Sequence, residues 1–226
     1  FVSNGASTIP EMSKGIGVSL PTATTALNDL IKAGLVREVG KRDNSSGRIP
    51  MEYDLVPTAG YFVGVNPEMD CLALAASDFC GKTRIPYIYE NTPESLEKLS
   101  AIVNDFIAGL PFGKEEILQV CVNVAERVNP FEGRAYNMYT FLDKSLAEAL
   151  TGLIQLPVCI ENDTRSMAFA EFCKGCCKGL KDVIFVNICW GLGIGIIIDG
   201  KLYYGKSGYS GEFGHMSAYN NNIICH

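Results

Sequence analysis

Two short stretches carry side chains suited to meeting hydroxyl groups. Glu212-Phe213-Gly214-His215 is a Glu-x-x-His pair delivered by the glycine run Gly205, Gly208, Gly211. A carboxylate and an imidazole presented on such a run suit hydroxyl recognition. His215 alone equally suits a hydrogen-bonded core position. The second stretch is Glu161-Asn162-Asp163-Thr164-Arg165, in which Asp163 falls where a strand-like run gives way to a helical pattern. Its carboxylate then lies near a helix N-terminus, either turned to a ligand at the mouth of a cleft or capping the helix.

Both stretches need a frame. Ahead of Glu212, Gly191, Gly193 and Gly195 alternate, and missing Cβ atoms there let the backbone approach an oxyanion or a neighbouring strand. Ile194 to Ile198, Asp199-Gly200 and Lys201 to Tyr204 read as a hairpin, since a two-residue turn with positive φ favours Asp-Gly. Upstream, the alternation predicts strands at Tyr61 to Asn66, Cys71 to Ser77, Arg84 to Tyr89, Ile117 to Val124, Val158 to Ile160 and Asp182 to Trp190. Helices are expected from Pro93 to Ala108, from about Asp143 to Leu153 and from Asp163 onward.

The glycine hairpin with Gly-Glu-Phe-Gly-His and the Glu-Asn-Asp-Thr-Arg string resemble the ROK family, which groups sugar kinases with sugar-responsive transcriptional repressors. The resemblance covers nearly the full chain, and it implies an α/β, actin-like (ribonuclease-H-like) sugar-kinase-type domain. It further implies sugar contacts from Asn162, Asp163, Glu212 and His215, with Asp163 matching the general base of the kinases. His215 also resembles the first ligand of a structural zinc, followed in the family by Cys-x-Cys-Gly-x-x-x-x-Cys. Cys225 falls where the first of those cysteines belongs. A closed zinc site needs about four ligands. Two are visible, so zinc is expected in an intact protein and is not assigned to this stretch.

The kinase branch fits less well. ROK kinases carry Asp-x-Gly-Gly-Thr-Lys at the first strand turn, where this chain reads Asn66-Pro67-Glu68-Met69-Asp70. Proline removes an N–H donor and Glu68 repels phosphate. The family's Gly-Pro loop reads Ala125-Glu126-Arg127. No enzymatic activity is therefore expected, an ATP-dependent sugar kinase being the competing reading.

The front of the chain points the same way. Residues 8 to 17 and the stretch from Ser19 through Ala33 read as two helices joined at Val18-Ser19, with Ala23, Leu27, Leu30, Val18 and Leu35 as a small core. Ser19, Thr22, Thr24, Thr25 and Asn28 form the outward face, placed for a major groove. Leu35 to Val39 and Met51 to Leu55 read as a wing whose loop carries Lys41, Arg42 and Arg48; Arg42 and Arg48 are candidate DNA contacts. The expected organisation is a winged helix-turn-helix over 1–57, its first helix missing before Phe1-Val2, an actin-like lobe over 58–190 and the start of an incomplete second lobe over 191–226.

Composition limits the alternatives. The 226 residues carry a net charge of −6 and are 47% hydrophobic, in keeping with a soluble globular protein. No apolar run is long enough to span a bilayer. Residues 1–57 are balanced in charge and the remainder acidic, so a strongly basic footprint is absent and geometry must carry any case for DNA. Most of the nine cysteines read as buried thiols of a reducing cytoplasm rather than disulfides, and Cys173-x-x-Cys176-Cys177, at an expected helix end, reads as incidental thiols and neither a metal nor a redox site. Phe1 is not a translation start, so the sequence is read as lacking residues before it. The expectation is a cytoplasmic, sugar-responsive regulator that represses carbohydrate-utilisation genes, acting as a homodimer or higher homo-oligomer on a double-stranded DNA operator, with a sugar effector and no membrane partner.

Overall fold

The computed structural model describes residues 5–41, 50–89, 91–136, 143–189 and 191–216. Arg42, Arg48 and Cys225 lie outside them. α1 (Ile9–Ile16) begins at a reciprocal cap, the Glu11 carboxylate accepting from the Thr8 amide at 2.9 Å and the Thr8 hydroxyl at 3.0 Å. Gly17 closes it at φ 69°. α2 (Leu20–Lys32) is capped by the Ser19 hydroxyl, which accepts from the Thr22 amide at 3.3 Å. β1 (Ser7–Thr8), β3 (Met51–Leu55) and β2 (Val36–Lys41) pair antiparallel in that order.

Ala23, Leu27 and Val36 are buried in this part, whereas Leu30 and Val18, expected beside them, are 37% and 36% exposed. A turn at Pro57–Ala59 leads into the body, where the Pro57 carbonyl accepts from the Phe79 amide at 3.1 Å.

The body is built on a sheet ordered β10 (Val158–Asn162), β7 (Ile117–Val124), β4 (Tyr61–Pro67), β5 (Leu72–Asp78) and β6 (Thr83–Tyr89). β4, β7 and β10 run parallel, and β5 and β6 return antiparallel. Strict alternation turns Val63, Val65, Leu74, Val120, Val122 and Ile160 onto one face. There they meet Leu99, Val103 and Ile107 of α3 (Leu96–Ala108) and Leu150 and Ile154 of α4 (Leu146–Ile154). A two-stranded ribbon, β8 (Val128–Asn129) with β9 (Arg134–Ala135), follows β7. Two-residue segments have no period by which alternation could announce them.

α5 (Asp163–Lys174) lies on the opposite face, its Ser166 hydroxyl donating to Asn123 Oδ1 on β7 at 2.7 Å. Beyond it stands a second sheet, β11 (Val183–Ile188), β12 (Leu192–Ile198) and β13 (Lys201–Leu202). Asp199 and Gly200 take φ of 48° and 74°, the turn their types call for. The expected boundary at residue 190 falls inside this sheet. β11 pairs with β12 from Val183↔Ile197 to Ile188↔Leu192, a partnership that alternation within one strand cannot reveal.

α5 rests directly on β12, since a Cβ at Gly193 would run into Thr164 and one at Gly195 into the side chain of Ala168. Both helix residues are buried. Gly195→Ala should therefore lower stability by about 1–3 kcal/mol through overpacking, read as the urea midpoint. An unchanged midpoint would contradict so close an approach of helix and strand.

Candidate functional site

The three parallel strands end level. Val65 pairs with Val122 and Val124 with Asn162, so the next residues of each strand, Glu68 beyond Pro67, Ala125-Glu126-Arg127 and Asp163, share one edge of the sheet. Ligands of open α/β sheets bind in the crevice outside the carboxyl ends of such strands.

β10 passes into α5 without a loop. Asn162 is the N-cap: its Oδ1 accepts from the Arg165 amide at 3.0 Å and its Nδ2 donates to the Glu126 carbonyl at 3.2 Å. Helix capping thus belongs to Asn162 more than to Asp163, and one of the two Asn162 amide hydrogens is committed to the neighbouring turn. Asp163 is half-buried, and its carboxylate accepts from the Thr164 amide at 2.6 Å. Burial pushes the Asp163 carboxyl above the usual range; Thr164 opposes the rise and the Glu68 carboxylate adds to it.

The glycine run reaches this edge from the other sheet. Beyond β13 the chain follows the edge of β12, with the Tyr203 amide donating to the Ile196 carbonyl at 2.7 Å and the Ile194 amide to the Gly211 carbonyl at 3.2 Å. Gly214 lies against the Leu192 carbonyl. Glu212 therefore sits at the Leu192–Ile194 end of β12, whose Gly193 is covered by Thr164 from α5. The neighbours of the two carboxylates meet at one strand end, Asp163 arriving from the helix and Glu212 from the strand edge. His215 closes the short turn Phe213–His215 by its backbone.

The residue that joins these pieces is one to which the sequence reading assigned no role. Arg165 is 1% exposed. Its Nε donates to Glu161 Oε1 at 2.8 Å, its Nη2 to the Val128 carbonyl at 3.0 Å, and its Nη1 to the carbonyl of Gly208 in the glycine run. Tyr204 lies over the guanidinium at 5.4 Å. Its phenol is pushed up to about 12 by burial and then by the Glu161 carboxylate, to which it hydrogen-bonds. The four-residue spacing of Glu161 and Arg165 was the one available signal. The strand–helix junction between them, and the distant origin of Val128, Tyr204 and Gly208, hid its use.

On α2, Ser19, Thr22, Thr25 and Asn28 are exposed and Thr24 is half-buried. The Thr24 and Thr25 hydroxyls donate to the carbonyls of Leu20 and Pro21 at 2.8 and 3.1 Å, which leaves their oxygens as acceptors on that face. Among the described residues no group of three or more His, Cys, Asp and Glu could hold a metal. The Cys176 thiol instead bonds Glu171 at 3.3 Å, and none of the eight described cysteines is fully buried, contrary to the expectation for those in the strand-like runs. Several lie at positions such as Cys121 and Cys159, on the sheet face away from the core, that alternation left unassigned.

Parallel strands ending in a helix capped by Asn162, facing a glycine-run hairpin, define an actin-like α/β protein of the sugar-kinase type. The ROK family model matches residues 64–226, and the chain belongs to that family. It is 28% identical over 212 residues to the xylose repressor of Bacillus subtilis (strain 168), covering 92% of this chain and 55% of the relative. The crystal structure of a ROK family transcriptional regulator, a homolog of the E. coli MLC protein, shares the fold over 97% of this chain and 57% of its own, with a TM-score of 0.75 at 22% identity. A ROK family glucokinase from Streptomyces griseus, in complex with glucose and AMPPNP, matches 71% of this chain and 51% of its own, with a TM-score of 0.60 at 27% identity. The chain spans about half the length of the curated relatives it matches.

Two outcomes are expected. Arg165→Ala strands Glu161 and two carbonyls in a buried place and should cost about 3–5 kcal/mol in chemical denaturation; a loss under 1 kcal/mol would contradict the buried network. For Asp163, burial raises the folded-state pKa, so the folded form carries a penalty above that pKa and none below the unfolded value. Asp163→Asn should melt higher than the wild type at neutral pH, with the difference shrinking as pH falls through the ordinary carboxylate range.

Proposed function

We propose that the chain belongs to a sugar-responsive, DNA-binding transcriptional repressor. The observation that carries this reading is the extent of the fold match. It covers 97% of the chain for a ROK regulator, which must take in most of the N-terminal helix pair and small sheet, against 71% for the glucokinase. Residues 5–56 are read as a winged helix-turn-helix: α2 and its cap enter the major groove with Ser19, Thr22, Thr24, Thr25 and Asn28, while Arg42 and Arg48, outside the described residues, are assigned to phosphate contacts from the sequence alone. A sugar in the crevice, held by Asn162, Asp163, Glu212 and His215, changes the angle between the sheets on either side of α5. In a dimer that change respaces the two DNA-reading heads.

The kinase alternative is disfavoured by the turn after β4. Pro67 has no N–H, the Glu68 amide is spent on the Cys71 carbonyl at 2.7 Å, and the Glu68 carboxylate is felt at Asp163. A phosphate cradle needs free amides and positive charge. A domain limit near residue 57, cytoplasmic location, homodimerisation and a structural zinc with His215 and Cys225 among its ligands belong to the same proposal. Among the described residues no helix is long and apolar enough to cross a membrane.

The test is titration of the intact protein onto its own upstream DNA by fluorescence anisotropy, with and without xylose or glucose. Specific binding should fall with salt, respond to one of the sugars and weaken with Arg48→Ala. Sugar-dependent ATP turnover at about 1–100 per second would overturn the reading in favour of a kinase. Binding indifferent to sugar would remove the sensing role.

A further inference from the structure

β7 and β10 set two thiols side by side. Cys121 and Cys159 are direct partners in the parallel pairing of these strands. Alternation turns Val120, Val122 and Ile160 into the core, so both cysteines stand on the opposite face, the one on which α5 lies. Paired residues of neighbouring strands have Cα atoms about 4.8 Å apart, within the span of roughly 4.4–6.8 Å that a disulfide bridges. Both are free thiols and only partly buried.

The row of the sheet that holds them is open on one side. Gly64 of β4 is the partner of Cys121 on the side away from Cys159, and it is exposed. Apart from its chain neighbours, no described atom lies within 4 Å of where a Gly64 Cβ would stand. A small solute therefore has a path to the pair across a residue with no side chain.

The two thiols are also unlike. They share a hydrogen bond in which Cys121 donates. That bond, and then burial, pushes the Cys121 thiol up, while the same bond holds Cys159 below the ordinary thiol range against the opposing effect of burial. Cys159 is the sulfur more readily ionised, and Cys121 stays protonated beside it. A thiolate with a second thiol within reach is a nucleophile with a resolving partner.

We propose that Cys121 and Cys159 form a redox-reactive dithiol, closed to an intramolecular disulfide by hydrogen peroxide and reopened by a dithiol reductant. The Cys159 thiolate attacks one peroxide oxygen, the O–O bond breaks, hydroxide leaves and Cys159 becomes the sulfenic acid. The Cys121 sulfur, giving up its proton, then attacks the Cys159 sulfur. The S–S bond forms, the S–O bond breaks and the second oxygen leaves as hydroxide. With the two thiol protons these hydroxides make two waters, so the sulfurs lose the two electrons that the peroxide gains. Reopening returns two electrons and two protons from the reductant, which itself becomes a disulfide. Transient disulfides of this kind are the ones that redox sensing uses in reducing compartments.

One other pair of thiols competes for the oxidant: Cys176 and Cys177, whose sulfurs lie 3.8 Å apart on the exposed turn after α5. The experiment therefore uses the intact protein both as the wild type and with Cys176→Ser and Cys177→Ser. Each is treated with hydrogen peroxide, alkylated on unfolding, digested without reductant and mapped by mass spectrometry. Peptides joined through Cys121 and Cys159 should appear in both proteins and separate on adding dithiothreitol. In the serine background, Cys121→Ser should leave Cys159 as a sulfenic acid that dimedone captures, whereas Cys159→Ser should leave Cys121 open to alkylation. Recovery of both cysteines as alkylated thiols after peroxide would overturn the proposal. So would their separate oxidation to sulfinic acids with no link between them. The wild-type map decides the matter even if the serine variants fold poorly.

Discussion

A guanidinium sealed away from water is the constraint from which the rest of this structure follows. Arg165 is never uncharged, and a buried cation is tolerated only when its donors are answered. Glu161 answers from the strand before it, Val128 from the ribbon after β7, and Gly208 from the glycine run. These partners come from three separate parts of the chain. Satisfying one side chain therefore fixes the position of α5 against both the first sheet and the loop that leads to Glu212. The close contact of Thr164 and Ala168 with Gly193 and Gly195 does the same job by packing. Polar and steric constraints agree on one placement of the helix.

That placement puts the N-terminus of α5 at the edge where three parallel strands stop. Asn162 is used twice there, once to cap the helix and once to hold the Glu126 turn. Asp163 is left half-buried with a carboxyl held above its ordinary range, a state that costs stability. The turn after β4, which in a phosphate-handling relative would supply amides, supplies a tethered carboxylate instead.

Much of this was legible in the residues. The strand Ile117–Val124 and the Asp199-Gly200 turn follow from alternation and local turn chemistry, which act over a few residues. The Glu-Asn-Asp-Thr-Arg and glycine-run strings could be picked out because their types are unusual at that spacing. What stayed hidden depends on partners far along the chain. The pairing of β11 with β12, the exposure of Val18 and Leu30, and the burial of Arg165 are set by neighbours that no local pattern names.

Hydrogen exchange on the intact protein, with and without a saturating sugar effector, addresses the central claim most directly. If α5 and the glycine run enclose the ligand as one unit, protection should rise together over 161–166 and 205–214, with a smaller change in α2. Protection confined to other segments, or a ligand response in the glycine run with none at the start of α5, would contradict the account.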